Sequence, residues 1–191
     1  MKNTFKFMAG MMAVGLTVST QAQNLVSNGG FETGDLTGWS LIGALASAPV
    51  LTADDGIPVH SGSYAVGLYG FDAFPTDKIS QTLTTTPGES YTLDFWWNSK
   101  ILTAPNEFGV AWNGVSVFDV QNQSGGGWTE ETFSVTAASA STILSFNDYV
   151  PDGNGVYTID DISVVPAPEP ATLALSALGG LAGLVANRRR K

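Results

Sequence analysis

The chain has 191 residues, with 17 acidic and 8 basic side chains, one histidine and no cysteine. Between residues 24 and 165 only Lys78 and Lys100 stand against sixteen acids, a surface that repels phosphate backbones and argues against nucleic acid as a partner. The missing cysteine excludes disulfides, thiolate nucleophiles and cysteine-ligated zinc or iron–sulfur sites.

Residues 1–22 read as a secretory signal peptide. Lys2 and Lys6 form a basic start, Phe7–Val18 is apolar, and Thr20-Gln21-Ala22 puts small residues where a signal peptidase needs them. The apolar run is too short to span a bilayer, and cleavage is expected after Ala22.

Residues 23–165 show no sustained helical period. Alternation marks strands instead: first Tyr64, Val66 and Leu68, then Tyr91, Leu93, Phe95 and Trp97. Phe133 with Val135, and Leu144 with Phe146, continue the pattern. Thr86-Pro87-Gly88-Glu89, Asn113-Gly114, Gly125-Gly126-Gly127 and Pro151–Gly155 supply turns between them. Many short strands with frequent turns predict an all-β, antiparallel sandwich or barrel. In the last strand Tyr157 and Ile159 share one parity while Ile162 and Val164 share the other, which predicts a bulge at Asp160-Asp161.

Residues 166–191 form a third unit. Pro166, Pro168 and Pro170 end the folded domain and extend the chain as a spacer. Ala171 to Ala186 is sixteen apolar or small residues, about 24 Å as a helix, short of a roughly 30 Å hydrocarbon core but usable in a thin bilayer. Arg188, Arg189, Arg190 and Lys191 close the chain and would stay cytoplasmic.

Pro168-Glu169-Pro170, a short apolar segment and Arg188-Arg189-Arg190, in that order at the C-terminus, resemble the PEP-CTERM sorting signal. The resemblance implies export by a bacterium that makes exopolysaccharide. It also implies transient inner-membrane anchoring of the precursor and cleavage near Pro168-Glu169-Pro170 by a membrane-embedded exosortase. The mature form would then stand at the cell surface or in the extracellular matrix.

The domain carries a second resemblance. Asn24–Glu32 leading into Gly38-Trp39, His60–Ala65, Ile79–Leu83, Pro87–Phe95 and Tyr157–Val164 occur in the order found in the galactose-binding-like, jelly-roll carbohydrate-binding modules. This implies an antiparallel jelly-roll β-sandwich in which the segment Asn24–Trp39 meets Tyr157–Val164. It also implies a structural calcium ion near the two termini of the domain, held by Glu32 with Asp160 or Asp161 and by backbone carbonyls. Oxygen ligands of that kind suit calcium, and an edge strand with solvated aspartates is the plainer alternative.

Trp96 points away from the Tyr91–Phe95 face, as a sugar platform would, but a second layer covering it is the favoured reading. Trp112 and Trp128 lie beside turns and are the other candidate platforms, whereas Trp39 belongs to the fold motif and reads as core. His60 has no persuasive serine partner for a triad. Asp54-Asp55 and Glu130-Glu131 imitate a glycosidase acid pair without any spacing to single them out. The sequence therefore reads as a non-enzymatic exported protein of the cell surface or extracellular polysaccharide matrix, glycan-binding or structural. A secreted glycan-active hydrolase and a purely structural coat protein are the alternatives.

Overall fold

A computed structural model describes residues 23–42, 50–52, 59–69, 77–101, 104–150 and 155–168. The expected signal peptide, Asp54-Asp55, Glu169, Pro170, the apolar segment expected to be a C-terminal helix, and Arg188–Arg190 lie outside these residues.

Ten strands are described. They are β1 (Ser40–Ile42), β2 (Val50–Thr52), β3 (Tyr64–Leu68), β4 (Asp77–Thr84) and β5 (Ser90–Ile101), then β6 (Glu107–Trp112), β7 (Val115–Gln121), β8 (Thr129–Thr136), β9 (Ser141–Tyr149) and β10 (Gly155–Pro166). One sheet has the order β1-β4-β9-β6-β7 and the other β2-β3-β10-β5-β8, with every pairing antiparallel. Only β2–β3 and β6–β7 are sequential neighbours; the remaining connections cross between sheets, as in a jelly roll. No helix occurs among the described residues.

The alternation seen in the sequence is the inward face. Tyr91, Leu93, Phe95 and Trp97 of β5 are buried, as are Leu144 and Phe146 of β9 and Phe108, Val110 and Trp112 of β6. Phe95 stands at the centre, its ring 5.4–6.5 Å from those of Phe108, Phe118, Phe133 and Phe146. The five rings come from five different strands of the two sheets, so the cluster joins the layers. Truncating Phe95 to Ala would cost about 3–5 kcal/mol.

The bulge lies where the parity change put it. Pairing of β10 with β5 shifts register between Asp160 and Ser163, and Asp161 has a left-handed φ of 48°. Ahead of the bulge Tyr157 and Ile159 face inward; after it Ile162 and Val164 do.

The sandwich has two unlike ends. One gathers the β4–β5, β6–β7 and β8–β9 turns with the finish of β10. There Gly88 N–H donates to Ala137 O at 2.8 Å, Thr85 N–H to Ala140 O at 3.1 Å, and Ala167 N–H to Ser90 O at 2.9 Å. The opposite end gathers Ile101, Glu107, Gln121, Tyr149 and Gly155. Chain leaving β10 toward residue 191 therefore departs from the turn end.

Candidate functional site

The segment 24–39 is sewn to β10 by three bonds: Leu25 N–H to Val164 O at 2.8 Å, Val164 N–H to Asn24 Oδ1 at 2.9 Å, and Ile162 N–H to Gly29 O at 3.0 Å. Asn28 and Phe31 take left-handed φ values of 52° and 56°, which turns the chain sharply and drops the Phe31 ring into the core. A Cβ on Gly29 would overlap the Ile162 carbonyl, so only glycine allows this approach.

Glu32, Asp160 and Asp161 come together here. The point where Gly30 would carry a Cβ lies 3.3 Å from Asp161 Oδ1, 3.8 Å from Asp160 Oδ1 and 3.8 Å from Glu32 Cγ. Their carboxylates also organise the segment 60–64. Glu32 Oε1 accepts from the Ser63 and Tyr64 N–H groups at 2.9 and 3.0 Å. Asp160 Oδ2 accepts from those of His60 and Ser61 at 3.0 and 3.2 Å, and its Oδ1 from that of Asp161 at 2.7 Å. Asp161 meets His60 Nδ1 at 2.6 Å and accepts from the Ser61 hydroxyl at 2.8 Å. Burial pushes the Asp160 carboxyl up to about 6 despite those N–H donors.

The donor set suits calcium in kind, being oxygen throughout. As placed, most of its oxygens serve N–H and O–H donors, and no three acidic or imidazole groups converge on one metal-sized point among the described residues. His60 and Ser61 do not form a triad with Asp161, since the Ser61 hydroxyl donates to Asp161 and His60 Nδ1 meets that same carboxylate.

The tryptophans fall into place differently from a platform set. His60 stacks on Trp96 with ring centroids 3.8 Å apart and planes 15° from parallel. The segment 59–64 is thus the second layer over the outer face of β10 and β5, and it covers the ring a sugar would need. Trp112 is 5 % exposed, packs on Tyr91, and donates from Nε1 to Thr136 O at 2.9 Å, so it is core rather than a platform. Trp128 is half-buried with its edge toward His60 at 5.5 Å. Trp39 is core as expected.

The outer face of the other sheet is lined by small and polar residues. Register places Lys78, Asn147, Gly109 and Asp119 in one row across β4, β9, β6 and β7. Ser80, Ser145, Ala111 and Ser116 form the next row toward the turn end, and Tyr149, Glu107 and Gln121 the next row away from it. Small residues thus floor the centre, and charged, amide and phenolic side chains rim it. A Cβ on Gly109 would come within 3.1 Å of Asn147 Nδ2, so the floor is occupied to its limit. Glu107 is hydrogen-bonded to Asp119, and partial burial together with that neighbouring charge pushes its carboxyl above the ordinary range. The alternating Ile143, Ser145, Asn147 and Tyr149 of β9 hinted at this face, but the pairing that builds it joins residues some forty positions apart.

The decisive observation about sorting is in the sequence beyond β10. The chain carries a PEP-CTERM protein-sorting motif at residues 166–191. Such a motif marks an exported chain with a C-terminal membrane-anchor sorting signal that an exosortase processes. For the domain ahead of it, no curated protein matches. Solved structures do.

The domain is similar to TmCBM61 in complex with β-1,4-galactotriose, at 21 % identity and TM-score 0.56 over 76 % of this chain and all of that one. It is also similar to the CBM22-1 xylan-binding domain of Paenibacillus barcinonensis Xyn10C, at 16 % and 0.54 over 80 % of this chain and all of that one. A third similarity is to the K3 cleaved adhesin domain of Lys-gingipain from Porphyromonas gingivalis, at 14 % and 0.57 over 75 % of this chain and 99 % of that one. These likenesses show the fold alone, an antiparallel jelly-roll β-sandwich, which hosts many functions.

Proposed function

We propose that this PEP-CTERM protein is a non-catalytic glycan-binding module, delivered to the cell surface or the extracellular polysaccharide matrix. The observation that carries the reading is the set of polar rows along the outer face of β4, β9, β6 and β7. A chain of flat rings would lie over Ala111 and Ser116, beside the Asn147 amide that already covers Gly109. Lys78, Asn147, Glu107 and Asp119 offer hydrogen bonds to hydroxyl groups, and Tyr149 offers a ring for stacking. The candidate acid pairs support binding over hydrolysis. Glu107 and Asp119 are close enough to hydrogen-bond to each other, tighter than the roughly 5–9.5 Å a glycosidase pair spans. Glu130 and Glu131 are successive strand residues and point to opposite faces.

A glycan array probed with the exported domain tests this. Paired Lys78→Ala and Asn147→Ala substitutions should weaken the best ligand by at least about tenfold, or about 1.4 kcal/mol. Loss of binding on Trp128→Ala with the outer-face variant unaffected would move the site to the Trp96–His60 side. Silence across the array would favour the coat-protein reading.

The proposal includes a structural calcium ion held by Glu32, Asp160 and Asp161. Its support is the approach of the Asp160 and Asp161 carboxylates and the Glu32 side chain to Gly30, on a domain with only two lysines between residues 24 and 165. The ion would offset their mutual repulsion and hold the segment 24–39, the segment 60–64 and β10 together.

A further inference from the structure

The turn end of the sandwich has a chemistry unlike the rest of this acidic domain. Residues 80–88, 109–118 and 132–147 contain no Asp, Glu, Lys or Arg, and neither do 162–168. Glu89 is the one charged side chain in the β4–β5 turn. At the edge between β7 and β8 lies a cavity of about 290 Å³, walled by Trp112, Val115, Val117, Val135 and Ala138 together with the polar Asn113, Ser134 and Thr136. Val115, next to the Asn113-Gly114 turn, is 68 % exposed, the most exposed large apolar side chain described.

This is also where the sorting tail departs. Ala167 is bonded to Ser90, Ser90 pairs with Thr136, and the Thr136 carbonyl accepts from Trp112, which pairs with Val115. From Ala167 to Ala171, where the apolar segment begins, is four residues, at most about 14 Å of chain. An apolar segment seated in a bilayer therefore keeps this end, and no other, against the membrane.

We infer that the turn end is a lipid-docking face: in the anchored precursor, Val115 and the mouth of the Trp112 cavity rest in the headgroup region of a phospholipid bilayer. The inference relies on the anchored precursor of the preceding section and adds the orientation of the domain upon it. Charge supports lipid as the occupant. An outer membrane face bearing anionic lipid repels carboxylates within a Debye length of about 8 Å, and the carboxylates of the far end, Glu107 and Asp119, are carried away from it. One exposed valine binds a membrane weakly by itself. The short tether supplies a high effective concentration, so weak contact is enough to orient the domain.

The absence of cysteine makes the test direct. The full-length precursor is reconstituted in vesicles of phosphatidylethanolamine with phosphatidylglycerol, with a single fluorophore on Val115→Cys or on Gln121→Cys. These sites are the two ends of β7, about 20 Å apart. Brominated lipid should quench the Val115 label about threefold more than the Gln121 label, given that separation. With the label moved to Asn113→Cys, a Val115→Asp substitution should lower the quenching while the protein still pellets with the vesicles. Pelleting with equal quenching at both ends of β7 overturns the docking face and leaves the anchor standing. Failure to pellet overturns both. Preferential quenching that appears only with exosortase in the vesicles would overturn lipid as the occupant and point to the enzyme.

Discussion

Gly29 and Asp160 show how single atoms hold the termini of the domain together. A methyl group on Gly29 has no room beside the Ile162 carbonyl. Gly29→Ala should therefore push the segment 24–39 off β10 at a cost of about 1–3 kcal/mol, lowering the melting temperature by about 2–4 °C per kcal/mol. Asp160→Ala leaves the N–H groups of His60, Ser61 and Asp161 without their acceptor and should cost at least as much. Glu107 titrates in the opposite sense from a salt-bridged acid. Its carboxyl is raised in the fold, so the stability it contributes is fully present below its unfolded value and is lost as pH rises through the folded one. Thermal melts from pH 4 to 8 should fall across that window, and Glu107→Gln should flatten the slope. An unchanged slope in that variant would assign it to other acids.

The segment 60–64 is the element on which the site turns. It leads into β3 at Tyr64 and is held by Glu32, Asp160 and Asp161, with His60 laid on Trp96. His60→Ala should uncover Trp96, shift tryptophan emission to longer wavelength, and leave glycan binding on the opposite sheet unchanged. If calcium joins the three carboxylates, a hundredfold excess over its dissociation constant adds about 2.7 kcal/mol, several degrees of melting temperature at this size. Glu32→Gln and Asp160→Asn should each reduce that gain, and magnesium should give less of it because it demands tighter octahedral geometry. Equal melting in calcium and in chelator would leave these carboxylates as holders of the segment 60–64 alone.

At the scale of the whole molecule, the tail and the sandwich act in sequence. Changing Glu169 to Ala, or removing Arg188–Lys191, should leave an unprocessed precursor held in the membrane of a host with exosortase. Normal maturation of both variants would contradict processing at this signal. On the two proposals together, the charge-poor turn end would face the anchor while the sheet face with Lys78, Asn147 and Glu107 would serve polysaccharide.

Much of this was legible in one dimension because it depends on local order. The sorting motif is a linear signal. The inward alternation of β5 and β9 has the period of a strand, and the parity change at Asp160-Asp161 is counted along the chain. The meeting of Asn24–Trp39 with β10 was legible through the resemblance of the motifs. Which aromatic rings stay open was decided by tertiary packing alone. Trp96 faces outward as its parity says, yet His60, which approaches from a distant segment, lies on it. Trp112 sits beside a turn, yet its strand alternation turns it into the core. The outer face of Lys78, Asn147, Gly109 and Asp119 belongs to four strands whose neighbours in space are not neighbours in sequence. Local propensity sets a strand and its two faces; which strands pair, and what then covers each face, is set by burial across the whole sandwich, and that information is not local to any segment.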